Sequence, residues 1–518
     1  MNSSRWFPYC ITTIFLLLGL YGITHHELWR DEFQPWLLGR DTHSIAELIS
    51  ASRYEGHPVM WHSILYVLSR ISVDPFIMPI FHILLASATI FLFVRFSPFS
   101  LLQKTFFVFG YFFFYEYALI SRDYVLGLFF LTLYFITYER KSSSYGLLAL
   151  ILFFLCNCNA MAFLVGCSLG LVLFGHPLLD ALKQRSFPKI SFIAPFVFFL
   201  MGVAMALAQL IPVADCALYP GISAREVYFD FNLERLSRVM STAIAVYFPL
   251  QDWPSSYFWT SNLILASLKN ILPAGLPLQL TIIILGFAIF LIAASFFLSR
   301  PKALGIFLCG TLVLWAFFYF KYYGGIRHSG HQFLLFVYCL WLSFSLKPQT
   351  MKGAFLNSIS EWIEKRRMLL IALFAGFHCL AGVYAYAQDW LRPFTASRAA
   401  VEFLRTLNPK TEIIGAPDYA LSPFSGYLNR PIYYLNSDRY GSYAKWDHHR
   451  VILDLPMTLD RIQKFMNDKT ECILILGYNF PQALQENNLS ANCNIQELAR
   501  FEQTSIADEM YVIYSVKR

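Results

Sequence analysis

Apolar residues in this chain come in long blocks, separated by short polar connections that carry most of the charge. Blocks at 7–24, 76–95, 101–119, 123–139, 190–211, 277–298, 303–320, 331–346 and 368–387 each approach the roughly 20 residues a helix needs to cross hydrocarbon. The run 145–174 is too short for two full spans and long for one. Its polar centre, Cys156-Asn157-Cys158-Asn159, predicts two short, tilted helices joined by a tight turn. Together the blocks predict about eleven spans. The first block is followed by Thr24-His25-His26-Glu27 and by no small-residue cleavage site, so it reads as a retained anchor.

The short apolar run 59–71 decides the topology. As a helix it would be about 20 Å long against a hydrocarbon core of about 30 Å. If it lies in the interface, Arg95, Lys104, Arg140 and Lys141 fall on the same side as Arg5. Lys183, Arg185, Lys189, Arg300, Lys302, Lys347, Lys352, Lys365, Arg366 and Arg367 then join them. The positive-inside rule selects this arrangement, with the N-terminus cytoplasmic. Segments 25–75, 120–123, 212–276 and 321–330 are then outside, as is the tail from Gln388. Within 212–276, Leu233–Tyr247 is amphipathic and reads as a helix against the membrane surface.

From about Ala396 the tail is polar and alternates strand-like with helical segments. Strands are expected at 412–415, 431–434, 451–455, 472–476 and 510–516, and helices at 397–407 and 459–466. The predicted fold is a polytopic α-helical membrane protein, N-terminus in and C-terminus out, with a small C-terminal α/β periplasmic domain. Its transmembrane catalytic domain would cover 1–390, including an outer loop 25–75 with interfacial helices, and the soluble domain 391–518. Neither GxGxxG nor a P-loop occurs in the tail, which reads as a cover or recognition domain.

Composition agrees with this pattern. Hydrophobic residues make up 57% of the 518 positions and charged residues only 14%, well below a soluble protein. The net charge of +7 resides mostly in the short loops, where topology explains it, so nucleic-acid binding is not expected. Most of the ten cysteines lie in apolar blocks and read as small core residues. Cys472 and Cys493, in the polar tail, could pair in an oxidising compartment.

The candidate chemistry sits in the expected outer segments. Asp31 and Glu32 are adjacent, just past the first span, among Leu28, Trp29, Phe33 and Trp36. Partial burial there would raise a carboxylate's pKa and make it a better base. Neighbours in sequence cannot share one helix face, so one acid is expected to do chemistry while the other orients or caps. Two short outer loops carry cations against the topology rule: Ser121-Arg122-Asp123 before Tyr124, with Glu116 just upstream, and Lys321 to Gly330, containing Arg327 and His328 and running into His331. A phosphate at the outer surface would explain them, since arginine offers it a planar fork. Snorkelling or a nearby acid explains them equally. A helix starting near His328 would bring Arg327 and His331 to one ligand.

Gly56-His57-Pro58 marks a turn into the interfacial helix. His25, His26, His57 and His62 lack metal-site spacing and read as interfacial polar contacts. A divalent cation, Mg or Mn, would suit Asp31 and Asp123.

At these residues the chain resembles the GT-C superfamily of lipid-sugar-dependent glycosyltransferases, which includes the protein O-mannosyltransferases and the aminoarabinose transferases of lipid A. The matching pieces are Asp31-Glu32 in the first outer loop, Gly56-His57-Pro58 before a short apolar helix, and Arg122-Asp123 at the start of a span. The second site departs from the family pattern, reading Arg-Asp-Tyr with no acid-Pro pair. The resemblance implies a multi-pass protein of a bacterial inner membrane, with its active site facing the periplasm. It implies a polyprenyl-phosphate-linked sugar as donor and a lipid, glycan or protein as acceptor. Asp31 would be the general base, with Glu32 and Asp123 as supporting acids. His57, Arg122, Tyr124, Lys321, Arg327, His328 and His331 are the expected substrate-binding residues. The alternative from another class is a transporter or flippase of lipid-linked glycan. It should show repeated halves and charges at mid-span; the sequence shows no obvious repeat, and its charges gather at span ends.

Overall fold

The computed structural model describes residues 3–140, 144–185, 190–219, 222–223, 225–253, 255–351, 353–477 and 493–518. Lys141, Lys189 and Lys352 of the topology argument lie outside them. The chain divides into two compact units. The first comprises Met1–Tyr21, Phe81–Leu210 and Val227–Tyr386; the second comprises Gly22–Ile80, Ile211–Glu226 and Ala387–Arg518.

The first unit is helical. Among the described residues, seven helices are long and apolar enough to cross a membrane: Arg5–His25, Ile77–Phe96, Ala160–Lys183, Ile190–Leu210, Leu276–Ser295, Pro301–Phe320 and Ala354–Leu391. Four more expected spans appear as shorter or more polar pieces: Leu101–Val108, Tyr124–Arg140, Tyr145–Cys156 and Ile326–Ser345. Nearly every side chain of Ile326–Ser345 is buried, so this helix is enclosed within its unit in spite of its polar first turns.

Three expectations need correction. The block 101–119 is not one helix: it stops at Val108, breaks at Gly110 and resumes as a π-helical turn, Tyr111–Glu116. The cause is close packing, because a Cβ on Gly382 would lie 2.3 Å from the Phe109 carbonyl oxygen, so backbone meets backbone there. In 145–174 the turn falls at Asn157–Asn159 as expected, capped by the Asn159 side chain on the Ala162 N–H at 2.8 Å. The second helix, however, runs on to Lys183, carrying Gly175 and Pro177 within it. Leu233–Tyr247 buries one face and leaves Glu234 and Arg238 exposed. It packs into the bundle, with Met240 against Gly286 and Thr242 accepting a hydrogen bond from Gln332 at 2.9 Å.

The second unit contains a six-stranded sheet. Its strands are β1 (Ile413–Ala416), β2 (Ile432–Tyr434), β3 (Arg439–Gly441), β4 (Glu471–Leu476), β5 (Asn494–Phe501) and β6 (Tyr511–Lys517), in the order β3-β2-β1-β4-β6-β5. β1 is parallel to β2 and β4, and the outer pairings are antiparallel. Alternate residues feed two cores. Ile413, Ile473, Ile475 and Ile513 pack with Val401 and Phe424 on one face, and Ile414, Leu474, Leu476 and Val512 pack with Ile462 and Met466 on the other. Both faces are covered, which is why the central strands read as continuous apolar runs.

The expected strand 451–455 is absent. Asp454 caps a helix, Leu455–Met466, by accepting the Met457 N–H at 2.8 Å, and Pro456 stands in its first turn. Two strands of this sheet went unforeseen, β3 and the polar edge strand β5, because neither carries an apolar alternation. Cys472 and Cys493 are both free thiols.

The same unit takes in the expected outer loop as three helices, Arg30–Asp41, Ile45–Ser52 and Met60–Ile71. Met60–Ile71 is amphipathic and buries Trp61, His62, Leu65 and Ser69. Arg70 donates to the Arg40 carbonyl at 3.0 Å and the Thr42 carbonyl at 2.6 Å, closing the C-terminus of the Arg30–Asp41 helix.

Candidate active-site residues

The two acids of the pair have separate fates. Trp29 precedes the Arg30–Asp41 helix, so Asp31 and Glu32 both fall in its first turn, where negative charge is favoured. Glu32 is fully buried and accepts the Trp29 N–H at 3.2 Å, a cap on the helix start. Its carboxylate also lies 3.0 Å from His26 Nε2, and His26 Nδ1 lies 2.7 Å from Asp389. Burial opposes charge on His26, but the two carboxylates outweigh it and hold the imidazole's pKa well above its ordinary value. The Asp31 side chain keeps 24% of its exposure.

Arg30, just before them, lies 3.7 Å from the Asp31 carboxylate and reaches other acids as well. It pairs with Asp508 at 2.8 Å, and its guanidinium lies 5.3 Å from the ring centres of both Trp29 and Tyr419. Its backbone N–H donates to Glu509 at 3.1 Å. Glu32 thus acts as an internal support and Asp31 is the accessible acid. His57 is half-buried in the turn before Met60–Ile71, where Gly56 takes a φ of +69° that favours glycine.

In the first unit, the loop before Tyr124 and the start of Ile326–Ser345 come together. The ring of Tyr124 lies 5.9 Å from His328 and 5.8 Å from His331, and it stands in the electrostatic field of Asp123, Arg122 and Arg327. Tyr117 donates to the Arg327 carbonyl at 2.6 Å. The approach is close: a Cβ on Gly330 would lie 2.3 Å from the Tyr117 hydroxyl and from Phe112. His328 Nδ1 accepts the Gly325 N–H at 2.9 Å, so this imidazole caps its own helix. His331 Nδ1 lies 3.3 Å from the His328 carbonyl, and its buried Nε2 has no hydrogen-bond partner among the described residues. Arg122 and Asp123 are buried, and Lys321 is half-buried at the end of the preceding helix.

Three residues outside the expected set belong to this cluster. Glu116, at the end of the π-helical turn, is buried and accepts from Tyr111 Oη at 2.8 Å and Trp259 Nε1 at 2.9 Å. The Arg327 guanidinium lies 5.6 Å from the centre of the Trp259 ring, a cation–π contact that links it to Glu116. His82 fixes the Arg122 backbone. Its Nδ1 lies 3.0 Å from the Ala118 carbonyl, and its Nε2 lies 3.0 Å from the Arg122 carbonyl and 3.2 Å from the Arg122 N–H. An acid before the Arg-Asp pair was the sequence signal for Glu116; His82 and Trp259 had none beyond their membrane-edge positions.

No protein-family model and no curated protein sequence matches this chain. Among solved structures it is similar to ArnT from Cupriavidus metallidurans in the apo state. The match has 13% identity over 99% of this chain and 98% of that chain, with a TM-score of 0.43. A likeness at that level leaves the function to be argued from residues.

Asp31, Glu32 and His57 therefore belong to one unit, and Asp123, Arg122, Tyr124, Lys321, Arg327, His328 and His331 to the other. Among the described residues, no group of three or more His, Cys, Asp or Glu side chains is arranged to hold a metal ion.

Proposed function

We propose that this chain is a membrane glycosyltransferase of the GT-C type, moving a sugar from a polyprenyl-phosphate donor to an acceptor hydroxyl at the outer face of a bacterial inner membrane. The observation that carries the reading is the cluster around Tyr124, where Arg122 and Arg327 both act electrostatically on Tyr124 and on the buried Glu116. Cations in so apolar a setting are costly and mark function. Guanidinium forks suit a phosphate, and a lipid-borne phosphate would be presented from within the bilayer.

In the proposed reaction, Asp31 takes the proton of the acceptor hydroxyl as its oxygen bonds to the anomeric carbon. The bond from that carbon to the phosphate oxygen breaks, and the electron pair leaves with the lipid phosphate. Arg122 and Arg327 stabilise the charge that develops there. Glu32 acts through the helix start it caps, and Asp123 through the field it sets at Tyr124. Tyr124, His57, Lys321, His328 and His331 are assigned to substrate contacts. The acceptor is a lipid, a glycan or a protein.

The test is transfer of labelled sugar by the purified full-length protein from polyprenyl-phosphate donors, with membrane extract as acceptor. Donor-dependent labelling of an acceptor is expected. Absence of transfer from every polyprenyl-phosphate sugar tried, with the protein folded, would remove the proposal.

A further inference from the structure

At the end of the helical unit where Tyr124–Arg140 and Ile326–Ser345 finish, the structure has a cavity with several cationic groups in its wall. It is a cleft of about 670 Å³ whose polar lining includes Arg300, Lys302, Lys347, Gln349, Tyr138 and Tyr145. Tyr124–Arg140 has 17 residues, so the cleft and the Tyr124 cluster stand at opposite ends of a helix about 25 Å long. The walls between the polar groups are apolar, formed by Val172, Leu173 and Leu346.

Charge in the cleft is unbalanced. Arg300 is buried and pairs with Glu364, but Arg367 shares that carboxylate at 3.0 Å, so two guanidiniums meet one acid. Lys302 and Lys347 add two more positive charges, and no carboxylate lines the cleft among the described residues. Arg300 Nε is buried without a hydrogen-bond partner among the described residues, a donor left over after Glu364 has taken the other nitrogens. Lys302 Nζ is 4.8 Å from the centre of the Tyr138 ring, which holds it at the rim. The Gln349 N–H donates to the Ser299 carbonyl at 2.7 Å, fixing the segment with Lys347 beside Arg300. Cations that served only as topology signals would need neither burial nor a shared wall.

We propose that this cleft binds the phosphate head group of an anionic membrane lipid, with Arg300, Lys302 and Lys347 on the phosphate and Val172, Leu173 and Leu346 against the acyl chains. Basic pockets between membrane helices recognise lipid phosphates in this way. The site is separate from the proposed transfer site and does not depend on that activity.

Native mass spectrometry of the delipidated full-length protein tests it, with dioleoylphosphatidylglycerol and dioleoylphosphatidylcholine as probes. Phosphatidylglycerol is expected to bind at roughly tenfold lower concentration, and the K302Q/K347Q variant to lose most of that preference. Lys365→Gln with Arg366→Gln, which removes two exposed cations that do not line the cleft, should leave the preference in place. Equal binding of the two lipids, or equal loss in both double variants, would overturn the site. Displacement of phosphatidylglycerol by millimolar inorganic phosphate would overturn the lipid assignment.

Discussion

The imidazole of His26 stands 3.0 Å from the carboxylate of Glu32, and both are buried. That contact, with the Trp29 N–H on the same carboxylate, assigns Glu32 to the framework of the helix start. Breaking a buried, hydrogen-bonded ion pair by removing one partner costs about 3 kcal/mol or more. Glu32→Ala should therefore lower the midpoint of thermal unfolding sharply, while Asp31→Asn, at a part-exposed acid, costs less than about 1 kcal/mol. Equal melting of the two variants would contradict the division of roles.

The same network gives the second unit a pH dependence of definite sign. His26 is raised above 6.5 in the folded state, where Asp389 and Glu32 overcome the effect of burial. Its contribution is complete below pH 6.5 and fades as pH rises through the raised value. Burial raises Glu509 from 4.5 to about 7, with Arg30 only partly offsetting it. A carboxyl raised in this way also favours the folded state at low pH, and that stability is lost between pH 4.5 and about 7. The unfolding midpoint should fall with rising pH across both windows. Glu509→Gln should reduce the slope in the lower window, which Glu27, raised by burial to about 7, shares, and His26→Gln should reduce it in the upper one; a midpoint that rises with pH would contradict both assignments.

Arg327 is expected to act on donor binding. Losing a charge-assisted contact to phosphate costs roughly 1.5–3 kcal/mol, or about ten- to a hundredfold in affinity. Arg327→Ala should show that loss for a polyprenyl-phosphate sugar with little change in melting, and Arg327→Lys should restore little of it because the planar fork is gone. Donor affinity unchanged in Arg327→Ala would remove its role.

Topology is checked by labelling. Cysteines introduced at Ser72 and at Gln349 should react with a membrane-impermeant thiol reagent from opposite sides, Ser72 from outside. Reaction of Ser72 from the cytoplasmic side would invert the assignment.

Sequence periodicity located the seven described helices that are long and apolar enough to cross a membrane, because burial in hydrocarbon or in a bundle demands long apolar runs. It failed where tertiary packing overruled it. The break at Gly110 is set by Gly382 on a distant helix, and Leu233–Tyr247 is drawn inward by Gly286 and Gln332. The acid pair and both cationic loops were legible because charge is rare in such a chain. The division of labour between Asp31 and Glu32 was not, since His26 and Asp389 approach Glu32 only in the fold. Likewise, nothing in the linear chain ties Trp259 to Glu116.

The most direct measurement is the turnover of Asp31→Asn in the sugar-transfer assay, taken together with its donor affinity. If Asp31 removes the acceptor proton, turnover falls by about a hundredfold or more while donor affinity and melting stay near those of the unmodified protein. Near-normal turnover would contradict the assignment of Asp31 as the base.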